Sequence, residues 1–145
     1  MAVTYQSESV KFPKIKRREI SNWIKSVASC YNKKIGDIAY IFCSDEKILE
    51  INLQYLNHDY YTDIITFDYS EGNIISGDLF ISLDTVKSNA EKFKVNYSEE
   101  LHRVIIHGIL HLCGFNDKSP EEELIMREKE NEALENWASF TQSFL

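Results

Sequence analysis

The sequence predicts an α+β fold, a small β-sheet with helices packed against it. Two observations lead there. Short runs of β-branched and aromatic residues fall in the first half of the chain, whereas helical periodicity recurs along all of it. No internal repeat, low-complexity stretch or Pro/Gly-rich linker interrupts the 145 residues, so the size prior makes 1–145 one domain.

Taken in order, residues 14–32 read as a first helix, with Ile15, Trp23, Ile24, Val27 and Cys30 near helical spacing. Gly36-Asp37 reads as a turn, followed by a strand from Ile38 to Cys43. Ser44 is a plausible N-cap for a second helix, whose apolar face is Ile48, Leu49, Ile51, Leu53, Tyr55 and Leu56. Residues 57–63 are polar and aromatic and read as a loop. Ile64–Tyr69 and Ile74–Leu83 form a hairpin-like pair around Ser70–Asn73, with Gly77 marking a bulge or a close backbone approach. Three helices complete the chain: Leu83–Lys94, Ser98–Gly114, and a Glu-rich one from Ser119 to about Trp137. In the last, Leu124, Ile125, Leu134 and Trp137 are expected to be buried and the Glu run solvated.

Composition narrows the function. The apolar fraction of 43% and charged fraction of 27% are those of an ordinary globular protein. No apolar run approaches a membrane span, and the first residues lack the features of a secretory signal, so a cytoplasmic location is expected. Cys30, Cys43 and Cys113 form no C-x-x-C pair and are expected to be reduced, mostly buried thiols. The net charge of −7 conceals an asymmetry: residues 1–40 carry +5 and the remainder −12. Five cations crowd into positions 11–18, and such a segment can steer a phosphate backbone or simply solvate a helix start.

The informative segment is His107-Gly-Ile-Leu-His111-Leu-Cys-Gly114-Phe-Asn-Asp117. Side chains four apart share a helix face, so His107 and His111 can clasp one ion. Gly114 can end the helix with positive φ and let the chain bring Asp117 back to the metal. Two imidazoles and a carboxylate leave a fourth position open, as catalytic zinc sites do. The helix is apolar nearly all round and should be buried, so its two imidazoles need partners, which a shared metal supplies. One zinc ion per chain, held by His107, His111 and Asp117, is the expectation, and the spacing does not separate zinc from nickel or another borderline metal. The same spacing is that of metzincin-type peptidases, but Gly108 stands where their general base would be. His102 is expected on the helix surface. His58 could approach the site from its loop.

The segment from His107 to Asp117, with Met126-Arg-Glu-Lys-Glu130 on the acidic helix after it, resembles the bacterial YbeY family. Tyr60–Phe67 is similar to that family's K-P-T-D-V-L-S-F stretch, and Gly77–Ser82 to its G-D-I-x-I-S strand. The resemblance implies an α+β fold with a small mixed sheet, and 1–145 as a single YbeY-like metallohydrolase domain. It implies a zinc-dependent, single-strand-specific endoribonuclease of late small-subunit (16S) rRNA maturation and ribosome quality control. Its partners would be single-stranded ribosomal RNA and the small ribosomal subunit, with neither DNA nor membrane. Two positions depart from the family: Asp117 replaces its usual third histidine, leaving a less charged site, and Leu56 falls where it carries a catalytic arginine. The catalytic residues are therefore unassigned, with Lys47 or Arg103 as substitutes for the missing cation. Basic residues around Lys14–Arg18 could hold the RNA backbone, and Tyr55, Tyr60 and Tyr61 could stack on bases. The rival readings are a zinc metallopeptidase-like hydrolase and a non-catalytic ribosome-associated module stapled by a structural metal.

Overall fold

The computed structural model describes residues 2–56 and 62–142. Four strands, β1 (Val3–Ser7), β2 (Lys34–Cys43), β3 (Ile64–Asp68) and β4 (Ile74–Ser82), form one sheet in the order β1-β2-β4-β3. β1 and β4 both run parallel to β2, and β3 is antiparallel to β4, so the sheet is mixed. The helices are α1 (Arg17–Cys30), α2 (Asp45–Ile51), α3 (Leu83–Phe93), α4 (Tyr97–Leu112) and α5 (Pro120–Gln142). This is the α+β class with a small mixed sheet that the sequence led us to expect.

Strand alternation places the core. Ile38, Tyr40 and Phe42 of β2 and Leu79 and Ile81 of β4 face α1 and α4, whose Trp23, Ile24, Ile105 and Ile109 are buried against them. The opposite face is covered by α2, where Ile48 and Ile51 meet Cys43 and Ile65. The polar groups of the large buried rings are satisfied: Trp23 Nε1 donates to the Ala133 carbonyl at 2.8 Å and Tyr40 Oη to that of Ile105 at 2.9 Å.

Several boundaries differ from the sequence reading. The strand β1 was not expected; its five residues alternate half-buried and exposed, too weak a pattern to stand out without its partner β2. Gly36-Asp37 is not a turn but lies within β2, at the register irregularity between Ile35 and Ile38. A side chain at Gly36 would run into Ser76 Oγ and, at 2.8 Å, Ile74 Cγ2. At Gly77 an added Cβ would stand 2.5 Å from the Phe67 carbonyl oxygen, so this glycine permits the close backbone approach. The first helix begins at Arg17, and Cys30 at its end is exposed, not buried. The helix after Ser44 lasts only to Ile51 before a π-helical turn, Asn52–Leu56, in which Leu53 and Tyr55 are exposed. Ser44 does cap it, its Oγ accepting from Lys47 N at 3.3 Å.

The last two helices position the site. Asn96 caps α4 by accepting from Glu99 N at 2.7 Å. Ser119 and Glu122 form a reciprocal capping box at the start of α5: Ser119 N donates to the glutamate at 3.2 Å, and Glu122 N to the serine hydroxyl at 3.1 Å. The face that α5 buries is the expected one only in part, Leu134 and Trp137 packing against the core. Leu124 and Ile125 are exposed, and Met126, Glu130 and Ala133 are buried instead. Among the described residues no helix is long and apolar enough to cross a membrane.

Candidate functional site

The helix α4 is buried nearly all round, with Leu101, Val104, Ile105, Ile106, Ile109, Leu110 and Leu112 in the core. Between those core positions Glu100, Arg103 and His107 form a polar stripe at helical spacing. That stripe looks into a cleft of about 700 Å³ bounded by α3, α4 and α5, by Asp63 ahead of β3, and by Asp117 in the loop after α4. The loop begins where Gly114 takes φ 109° and its N–H bonds the His111 carbonyl at 3.0 Å. Positive φ there is the expected helix stop. Phe115, packed edge-on against Tyr31 at 4.9 Å, anchors the returning chain.

The structure brings His107 and Asp117 together and leaves His111 apart. His107 Nε2 lies 3.3 Å from Asp117 Oδ2. Two donors that share one zinc at about 2.0–2.2 Å with tetrahedral angles stand ~3.3–3.6 Å apart, so this pair fits such an ion. The other ring nitrogen is taken: His107 Nδ1 is 2.7 Å from Glu130 Oε2. A carboxylate on the far nitrogen is the usual way to aim a ligating imidazole, because it fixes the proton on Nδ1 and leaves Nε2 free to bind. His111 is half-buried one turn beyond and does not border the cleft. Among the described residues no three His, Cys, Asp or Glu side chains are gathered as one donor set.

Charges around His107 are tightly linked. Arg103 donates to Glu130 Oε1 at 2.8 Å and to Asn131 Oδ1 at 2.9 Å. Burial opposes ionisation of both His107 and Glu130. Their mutual hydrogen bond, with the Arg103 guanidinium on Glu130 and the Asp63 and Asp117 carboxylates near His107, outweighs it. The His107 pKa is raised and that of Glu130 lowered. For Asp63 burial dominates and raises the pKa, opposed by His107; Glu100 is likewise raised by burial, with Asp63 adding to it.

Of the two cations offered for the missing arginine, Arg103 borders the cleft, whereas Lys47 lies near Glu8 at 3.6 Å and Glu50 at 3.9 Å, away from it. The basic residues 11–18 are exposed, Arg17 lying over the Phe12 ring at 4.5 Å, and none borders the cleft. Tyr55 is exposed beside Phe67, while His58, Tyr60 and Tyr61 lie outside the described residues. His102 is not on the surface: its ring is buried 4.6 Å from that of Trp137.

Glu130 and Asp63 were missed by sequence reasoning. A signal for Glu130 did exist, since Met126, Glu130, Ala133 and Trp137 recur at i, i+4, i+7 and i+11, an acid set inside an apolar stripe. For Asp63 no periodicity points to the site, and its one signal was its place on the Asp of the family's K-P-T-D-V-L-S-F stretch.

Gly108 bears on the peptidase alternative. A Cβ there would lie 3.0 Å from Ile64 Cδ1 and 3.2 Å from Leu79 Cδ2, so the position faces the sheet and the core. A glutamate in that place could not act as a base in the cleft.

A family model described as Endoribonuclease YbeY matches residues 3–138. The chain belongs to this family. Endoribonuclease YbeY of Bacteroides thetaiotaomicron is 70% identical over 134 residues, 92% of this chain and 98% of that one. Endoribonuclease YbeY of Porphyromonas gingivalis is 55% identical over 132 residues, 91% of this chain and 87% of its own. The solution structure of TM1509 from Thermotoga maritima superposes with a TM-score of 0.63 at 25% identity, covering 95% of this chain and 93% of that one. The YbeY match includes every residue that lines the cleft, from Asp63 to Glu130.

Proposed function

We propose that this chain is a metal-dependent endoribonuclease that cuts single-stranded RNA during late maturation of small-subunit (16S) rRNA. The observation that carries the reading is the convergence of His107 Nε2 and Asp117 Oδ2 at 3.3 Å in the cleft, within a YbeY chain. His107 and Asp117 would hold one zinc ion, with His111, one turn along α4 and outside the cleft in this structure, turning in as the third ligand. When bound, zinc supplies Lewis acidity toward a phosphoryl oxygen of the backbone. The chain's own residues do the rest. Glu130 keeps the Nδ1 proton of His107 in place and so aims the imidazole. Arg103, on the cleft wall, supplies the cation absent at Leu56 and places positive charge where a phosphate turns negative. The hydrogen bonds of Glu130 to Arg103 and His107 fix its position against α4.

In this reading residues 1–145 act as one domain, ribosome quality control follows from the same cleavage, the small ribosomal subunit presents the substrate, and the site of action is the cytoplasm. Presentation by the ribosome answers the acidity of the body, which gives little pull on free RNA. The core-facing position of Gly108 counts against peptide hydrolysis.

The test is cleavage of single-stranded RNA and of casein by wild type and His111→Ala, both checked for metal content and folding. RNA cleavage in wild type only, with casein intact, is the expected result. Cleavage of RNA by the folded variant at the wild-type rate would sink the proposal.

A further inference from the structure

The lining of the cleft combines two chemistries. His107, Asp117 and Arg103 are polar, whereas Phe93 of α3 and Leu124 of α5 are apolar and stand 48% and 68% exposed. Within one concave cleft, exposed apolar side chains beside a few polar groups are what a ligand with an apolar part can cover. Asn89, four residues before Phe93 and so on the same face of α3, adds an amide donor and acceptor. Lys92 Nζ lies 5.5 Å over the Phe93 ring, an arrangement that steadies the ring.

Charge decides what such a cleft can hold. Five of its lining residues are carboxylates, Glu100 and Glu123 among them, against the guanidinium groups of Arg103 and Arg127. A dication held at the site still leaves the lining net negative. A bare polyanion is therefore poorly attracted, and affinity has to come from a part of the strand that carries no charge.

Resting on the nuclease reading, we infer that Phe93 and Leu124 form a subsite for one unpaired nucleobase next to the scissile phosphate, with Asn89 at the base edge. Stacking on Phe93 and apolar contact with Leu124 supply the affinity, and a base locked in a duplex cannot enter. Binding through this subsite is base-driven and nearly indifferent to salt. A strand held through several phosphates would instead lose roughly 10³- to 10⁵-fold between 50 and 200 mM salt.

The test compares two fluorescent probes on the zinc-loaded chain by anisotropy: a 2′-O-methyl oligoadenylate decamer, and a decamer of the same backbone with every site abasic. Each stacked base is worth roughly 5- to 150-fold in affinity. Wild type should therefore bind the adenine strand at least about fivefold more tightly than the abasic one. Phe93→Ala and Leu124→Ala, both at exposed positions, should shrink that preference to within about threefold and raise KM for cleavage while leaving kcat nearly unchanged. Equal binding of both probes by wild type overturns the subsite, as does an undiminished preference in Phe93→Ala. If wild type cleaves RNA normally under either result, the subsite alone falls; if it neither binds nor cleaves, the nuclease reading falls with it. Self-association of wild type that Leu124→Ala abolishes would show a second copy as the occupant and overturn the proposal.

Discussion

Glu130 holds His107 with one carboxylate oxygen and Arg103 with the other, while its side chain is almost out of solvent. Removing its charge leaves the hydrogen-bonding shape but unbalances a buried trio. Glu130→Gln should weaken zinc binding about 10- to 100-fold, measured by competition with a chromogenic chelator, because outer partners of ligating histidines carry that much affinity. Unchanged affinity would show that Glu130 is a structural partner of Arg103 only. His102 makes a different case. Its Nδ1 bonds the Ser98 carbonyl at 2.6 Å, and its Nε2 is buried with no hydrogen-bond partner among the described residues. Burial therefore lowers its pKa, with the Ser98 bond opposing. The unfolded chain then takes up the proton first as pH falls through the ordinary histidine value of about 6.5, so stability drops below that point. With metal chelated, wild type should lose more Tm between pH ~7.5 and ~5.5 than His102→Phe, which keeps an aromatic ring against Trp137. Equal losses would contradict the assignment.

At the scale of elements, α4 carries both core and site, and its glycine separates the two. Gly108→Glu, which would restore the H-E-x-x-H pattern, should create no peptidase. It should destabilise the fold by about 3 kcal/mol or more, because the carboxylate would enter the apolar space of Ile64 and Leu79. A wild-type Tm for this variant would refute the packing argument. The helix itself was legible because its apolar residues between Leu101 and Leu112 recur at helical spacing on nearly every side and Gly114 marks its end. The face of α5 was legible only in part. Leu124 and Ile125 are more hydrophobic than Glu130, and only the docking of α5 on α1 and α4 decides that the glutamate turns inward. β1 and the irregularity at Gly36-Asp37 escaped for a related reason: both are defined by a neighbouring strand and not by local pattern.

In the whole molecule, chemistry concentrates where the sheet's antiparallel edge and the last two helices meet, while the basic residues of the N-terminal segment lie away from the cleft. Of the residues read from the single stretch His107 through Asp117, the cleft holds His107 and Asp117 and leaves His111 outside. Asp63 and Glu130 come from residues 44 positions before and 23 positions after His107, and only tertiary packing assembles them. The same packing sets Arg103 apart from Lys47, two cations the sequence left equivalent. The most direct test of a metal centre built on these residues is the zinc content of the purified chain compared with that of Asp117→Ala, with circular dichroism confirming equal folding. The account predicts one zinc per wild-type chain and a large loss in the variant. Wild type and variant carrying the same zinc, or neither carrying any under zinc-replete conditions, would contradict it.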